Sequence, residues 1–228
     1  MSGTYPEVDK SMLQSNILNL LQRPKTEELV HRYFNPKHEE PFAGSLFDTL
    51  GDNRPERFGI DDLLALNLLD EPVNAYQVKR ITSGEFDNLL SEICDKSDVT
   101  ALAGQHYEKA IELWEALRDV KGFGPTRISK LLARKRPKLL PIRDSVVNEI
   151  LGITGFSWWR ALSDSFRDSE ITEVLRSFNP SANVKPSLLR VLDVAVWMHG
   201  SRSRAAKKVR LEFCVPDPSN RASRIRRN

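Results

Sequence analysis

Two features of the chain could do chemistry together: the turn Lys121-Gly122-Phe123-Gly124-Pro125-Thr126-Arg127, and an aspartate, Asp144, twenty positions beyond Gly124. Glycine carries no side chain and tolerates positive φ, so a two-glycine turn can be sharp and can present its backbone N–H groups to an anion at close range. Pro125 suits the first position of a helix, where no N–H is needed, and the positive end of that helix favours the same anion. Lys121, Arg127 and Lys130 would supply the charge-neutralising, sequence-independent part of phosphate binding, with Thr126 and Arg143 nearby. The turn reads as a phosphate clamp, although a tight interhelical turn needs many of the same residue types. Asp144 is a carboxylate next to this basic segment; it also directly precedes a predicted helix, where aspartate is a favoured N-cap.

The elements that must position these groups are helices. Apolar residues recur at helical spacing at Leu13, Ile17, Leu20 and Leu21, and again at Phe86, Leu89, Leu90 and Ile93, while strand periodicity is hardly seen. The spacing predicts a long helix from Gln105 to Val120 and a shorter one from Pro125 to Arg134, joined by the two-glycine turn. Further helices are expected over Asp61–Leu69, Ser145–Leu151, Ile171–Phe178 and Ser187–His199, the last apolar on most faces and therefore central. Proline and glycine mark 35–59 as a long irregular connection. After Gly200 the apolar period disappears and arginines accumulate, so 201–228 is expected to be a basic tail, partly ordered at best, behind a helical domain over 1–200.

Composition narrows the partners. With 228 residues, 40% hydrophobic and 29% charged, the chain matches an ordinary soluble domain. No window reaches the ~18 uninterrupted apolar residues of a membrane span, and Met1–Lys10 lacks the basic-then-apolar pattern of a signal peptide, so the expected location is cytoplasmic with no membrane partner. Cys94 and Cys214 are too few for a four-cysteine cluster, and His31, His38, His106 and His199 show no metal-ligand spacing, so no metal and no cofactor is expected. The net charge of +3 hides an asymmetry. Arg118–Arg143 holds nine Lys or Arg against one acid, and Arg202–Asn228 holds nine against two, leaving the rest of the chain strongly acidic. Two such stretches imply a polyanionic partner, the alternative being a pair of solvated basic surfaces; no protein partner is implied.

The two-glycine turn between helices, the twenty-residue interval to Asp144 and the frame Pro141-x-x-Asp144-x-x-Val147 resemble the helix-hairpin-helix DNA glycosylases, the endonuclease III-like superfamily. The resemblance is specific over about residues 108–151, with the hairpin at 107–135. It implies an all-α, helix-hairpin-helix glycosylase-like fold, one domain of two helical lobes with the active-site cleft between them. It also implies a double-stranded DNA partner whose backbone Gly122, Phe123 and Gly124 grip, and that Asp144 is the catalytic aspartate. Lyase-active members carry a lysine two positions after the second hairpin glycine. Thr126 stands there in this chain, and the four cluster cysteines are absent, which implies a monofunctional enzyme without an iron–sulfur cluster. Phe42–Asp48 and Ser187–His199 look like a small group of bacterial members for which no activity is established.

The resulting expectation is a monofunctional glycosylase that flips out and excises a damaged or modified base, leaving an abasic site. The role would be repair, or defence against phage whose DNA carries modified bases such as glucosylated hydroxymethylcytosine. Breaking a base–sugar bond leaves an oxocarbenium-like sugar that a carboxylate can stabilise, and the extruded base needs an aromatic or apolar pocket. Phe156, Trp158 and Trp159 are pocket candidates, with core packing the competing role for the tryptophans; Phe47 and Asp48 are weaker ones. Asp193, in the most apolar helix, must be buried or partnered, by orienting the pocket or by pairing with Arg190. The alternative function is a non-catalytic helix-hairpin-helix DNA-binding protein. A metal-dependent nuclease needs clustered acids that the basic stretch does not supply.

Overall fold

In a computed structural model describing residues 9–102, 105–153, 158–180 and 185–217, the described residues form α-helices and two short 3-10 turns, with no strand among them. The protein is all-α. The helices are α1 (Lys10–Leu21), α2 (Thr26–Phe34), α3 (Ile60–Asn67), α4 (Ala75–Ile81), α5 (Asp87–Ser91) and α6 (Gln105–Arg118), followed by α7 (Pro125–Lys135), α8 (Ser145–Leu151), α9 (Trp158–Ser165), α10 (Ser169–Phe178), α11 (Leu188–Gly200) and α12 (Arg204–Glu212). The helices predicted from periodicity over 105–120, 125–134 and 145–151 and in the last apolar stretch lie where expected, to within a residue or two at their ends.

Packing sorts the helices into two groups. The middle of the chain associates locally, α5 with α6, α6 with α7, and α7 with α3. The N-terminal pair returns to the C-terminal half: α1 packs on α8, α9 and α10, and α2 on α11. Helix α11 is the axis of that second group and touches α1, α2, α8, α10 and α12. Its apolar residues Leu189, Val191, Leu192, Val194, Ala195, Val196 and Met198 are buried, and Ser187 caps its start by accepting the Arg190 N–H at 3.1 Å. One continuous apolar core runs through both groups.

The irregular connection between α2 and α3 is held by the cations that end α7. Arg134 donates to Asp62 at 2.8 Å and to the carbonyls of Phe47 and Leu50. Lys135 donates to Asn53 Oδ1 at 3.0 Å and the Arg54 carbonyl at 2.9 Å, and pairs with Asp62 at 2.5 Å. Arg136 reaches the carbonyls of Ile93, Pro55 and Leu90. All three cations and Asp62 are buried. A buried charge is retained only when paired and hydrogen-bonded, and these bonds satisfy carbonyls that an irregular segment cannot pair with itself. The basic run therefore dictates the path of the connection.

The first part of the expected tail is a helix. Only Ala206 and Val209 of α12 give it apolar contact, which is too little to show as a period. It is anchored instead by Arg210, which is buried and donates to the carbonyls of Met198 and Ser201, both at 2.7 Å. These lie at the C-terminus of α11, where helix carbonyls lack intrahelical partners. Residues 218–228 of that tail lie outside the described residues.

Candidate active site

The two-glycine turn and Asp144 are physically linked. The turn 121–124 leaves α6 and enters α7 through Gly122, whose φ is +79°. A Cβ there would sit 2.9 Å from Gln77 Nε2, which also donates to the Lys121 carbonyl at 3.1 Å. Gly124 differs: its φ of −79° suits any residue, and a Cβ would meet nothing within 4 Å. It is the N-cap of α7, with Pro125 in the first turn and no side chain capping the helix. The N–H groups of Thr126 and Arg127 therefore face outward without a partner in the helix. One turn further along α7, the Ser129 hydroxyl lies 2.9 Å from both the N and the O of Arg143. That contact fixes the residue preceding Asp144 to the hairpin helix.

Asp144 has an extended backbone and caps α8, accepting the Val147 N–H at 2.9 Å. The capping role open to it in the sequence is thus real. Its half-buried side chain also lines a cavity of about 200 Å³. The cavity lies where the two helix groups meet. Asp144, Tyr33 of α2 and Arg190, Asp193 and Trp197 of α11 line it from one side; Lys130 of α7 and Leu69, just after α3, line it from the other. Phe42 and Gly44 complete it from the irregular connection.

The aromatic wall is built as a unit. Tyr33 stacks on Phe42 with ring centroids 4.9 Å apart, and Trp197 meets both edge-on at 5.9 and 5.8 Å. Gly44 allows the connection to pass beside them, since a Cβ would fall 2.2 Å from the Tyr33 hydroxyl. Arg190 ties the wall together and is 5% exposed. It donates to Asp48 at 3.1 Å, to Asp193, to the Tyr33 hydroxyl at 3.1 Å and to the Gly44 carbonyl at 2.8 Å. Burial works against its charge, yet Tyr33, Asp48 and Asp193 outweigh it and raise the guanidinium pKa. Burial, with the nearby Asp144, pushes the Asp193 carboxyl up to about 6, against Arg190 and Lys130.

Several sequence candidates are placed elsewhere. Trp158 and Trp159 are core residues, 2% and 1% exposed, with Trp159 packed edge-on against Trp114 and Tyr107; neither lines the cavity. Phe156 lies outside the described residues. Phe47 is fully buried, and with Asp48 it borders a very small adjoining space, not the main cavity. Phe123 is 2% exposed and plugs the turn into the core, so it does not face a ligand. Arg127 folds back on the turn, donating to the Gly122 carbonyl at 2.6 Å and sitting over the Phe123 ring at 5.6 Å, with Glu71 beside it at 3.5 Å. Lys130 points into the cavity, where it donates to the Leu69 carbonyl at 2.8 Å. Arg143 is half-buried and donates to Asn148 Oδ1 at 3.1 Å. Of the predicted phosphate ligands, Lys121, Gly122, Gly124 and Thr126 remain at the surface.

The sequence missed Tyr33, Phe42, Gly44 and Trp197 as cavity residues. Phe42, Gly44 and Trp197 fall within the two stretches that look like the bacterial group, whereas Tyr33 carries no signal in the sequence. Among the described residues no group of His, Cys, Asp and Glu could hold a metal ion, and no helix is long and apolar enough to cross a membrane.

This is an all-α protein with a partly enclosed aromatic cavity lined by three carboxylates, Asp70, Asp144 and Asp193, beside a capless, glycine-led helix start. The chain belongs to a family of unknown function, DUF6308, whose model matches residues 26–200. The matched span includes the hairpin, Asp144 and the wall residues, and stops at the end of α11. No curated protein and no solved structure matches the chain.

Proposed function

We propose that the protein is a monofunctional DNA glycosylase of the helix-hairpin-helix type, acting on a base extruded from duplex DNA. The observation that carries this reading is the opening of Asp144 into an aromatic-walled cavity while Ser129 ties its neighbour to the hairpin helix. A hairpin gripping a phosphate would hold the strand, and the extruded sugar would come to rest beside Asp144, whose carboxylate stabilises the oxocarbenium-like sugar as the base departs. Tyr33, Phe42 and Trp197 offer the apolar, aromatic surface that a flipped base needs. Thr126 stands where a lyase lysine would be, so the product is an intact abasic site. A volume of about 200 Å³ suits a single heterocycle, below the ~300–1,000 Å³ of pockets for drug-sized ligands. A bulky phage-type modification would have to project through the mouth. The biological setting is DNA repair or defence against modified phage DNA.

A panel of duplexes carrying deaminated, alkylated and phage-type modified bases tests the reading, with free base measured by mass spectrometry and abasic sites by alkali cleavage. Release of one base class supports it. A second reading, a DNA-binding protein without catalysis, is favoured by the capping bond from Val147, which gives Asp144 a structural reason to be present. DNA binding with no release from any duplex would establish that second reading.

The hairpin carries its own predictions. Lys121→Ala is expected to weaken binding to all sequences alike and to lower the slope of log K against log salt by about one. The two glycines should separate cleanly. Gly124→Ala costs at most about 1 kcal/mol of stability, the N-cap preference for glycine over alanine, since nothing in the protein opposes its Cβ, but weakens DNA binding because the methyl group stands where a phosphate must approach. Gly122→Ala costs about 1–2 kcal/mol of stability, because its φ of +79° is left-handed. Fluorescence anisotropy and thermal melts on the same samples check both. Unchanged DNA affinity in Gly124→Ala would remove the clamp.

A further inference from the structure

Two acids besides Asp144 line the cavity, the exposed Asp70 just after α3 and Asp193. Asp193 is one helical turn from Arg190 on α11, and its side chain is 10% exposed. Its two oxygens are not equivalent. Oδ2 accepts from Arg190. Oδ1 makes no hydrogen bond among the described residues, and it is not sealed from solvent either. One oxygen is thus anchored and the other is not, in a side chain that lines the same cavity as Asp144.

The anchoring cation is divided. Arg190 serves Asp48, the Tyr33 hydroxyl and the Gly44 carbonyl as well as Asp193. The groups facing Asp193 are therefore Arg190 on its own helix, Asp144 at the cap of α8, Lys130 of α7, Tyr33 of α2 and Asp48 of the irregular connection. Lys130 is itself committed to the Leu69 carbonyl and to Glu71 at 3.3 Å. The acids outnumber the cations around one small cavity, and burial raises the pKa of Asp193. Carboxylates whose environments differ in this way take different roles in one reaction, one as charge stabiliser and the other as proton donor.

We infer that Asp193 is the general acid of this site, delivering a proton from Oδ1 to the departing base while Asp144 stabilises the sugar. The inference rests on the glycosylase reading. As the C1′–N bond breaks, its electron pair stays with the base, and the proton of Asp193 passes to a ring nitrogen or exocyclic oxygen of that base. The sugar cation left beside Asp144 takes the oxygen of water at C1′, and the proton released by that water returns to Asp193. The balance is water plus nucleoside giving free base plus a 1′-hydroxyl sugar, with both carboxyl groups restored. Because the acid must be protonated at the start, the rate falls as pH rises through the Asp193 pKa of about 6.

Single-turnover release from pH 5 to 8.5, on the duplex of the panel from which the wild type frees a base, tests the assignment. The wild-type rate is expected to fall about tenfold per pH unit above pH 6. Asp193→Asn should lose that dependence and run about 10²-fold slower at pH 6. Asp193→Glu, which keeps an acid, should restore a pH-dependent limb. Asp48→Asn removes another carboxylate from the same Arg190 without removing the acid, and should slow release while retaining the limb. Retention of the wild-type limb in Asp193→Asn, or its loss in Asp48→Asn, would overturn the assignment and leave the glycosylase reading intact. Failure of the wild type to free any base from the panel would overturn both. Thermal melts show which variants fold; should Asp193→Asn not fold, the Asp193→Glu and Asp48→Asn profiles decide.

Discussion

Asp144→Asn is expected to abolish base release while leaving the protein folded and bound to DNA. Asparagine is as good an N-cap as aspartate, so the bond from the Val147 N–H survives, and α8 keeps its start. What is lost is the negative charge beside the developing sugar cation. A single preorganised group of this kind is worth about 10²–10³-fold in rate. Duplex affinity should be equal to the wild type or slightly greater, since a carboxylate near phosphates repels them. Single-turnover release and anisotropy on the same duplex separate the two quantities. Release at the wild-type rate would return Asp144 to the role of a helix cap and nothing more.

The largest effect on stability is expected at a residue remote from any ligand. Asp62 is fully buried between Arg134 and Lys135, whose side chains are also fully buried. Asp62→Ala would leave two cations in the core with no counter-charge. Breaking a buried pair in this way costs about 3–5 kcal/mol, which for a chain of this size lowers the Tm by about 10 °C. The loss should reach the cavity too. Arg134 also holds the carbonyls of Phe47 and Leu50, next to Gly44 and Asp48 on the same connection. A chemical-denaturation midpoint and a base-release assay below the melting range measure both consequences. A destabilisation below about 1 kcal/mol would show that the carbonyl acceptors suffice to hold the two cations.

The way these cations are used also explains how the charge pattern misled. A run of nine basic residues with one acid predicted a DNA-facing surface, yet Lys130, Arg134, Lys135 and Arg136 are turned inward and bonded to carbonyls or acids. Sequence counts charges but not the direction in which a side chain leaves its helix. On α7 that direction is decided by α3 and by the irregular connection, both more than forty residues away. Trp158 and Trp159 failed as pocket residues for the same reason. Proximity to Asp144 along the chain said nothing of which face of α9 the core would take, and Trp114 and Tyr107 claimed it.

What the sequence determined by itself is local: helices with a 3.6-residue period, the sharp turn that Gly122 permits, Pro125 at a helix start, and Asp144 at the next. Each follows from the chemistry of neighbours within a few residues, and the helical frame of the site was legible for that reason. The enclosed cavity was decided only by tertiary structure. Tyr33, Phe42, Asp144, Asp193 and Trp197 come from segments separated by up to 164 positions, and no short-range period can mark residues that meet only when the chain closes on itself. Arg190 is the group that brings them together, because a buried guanidinium must find acceptors for all its N–H groups. It finds them on α2, on the irregular connection and on α11 at once.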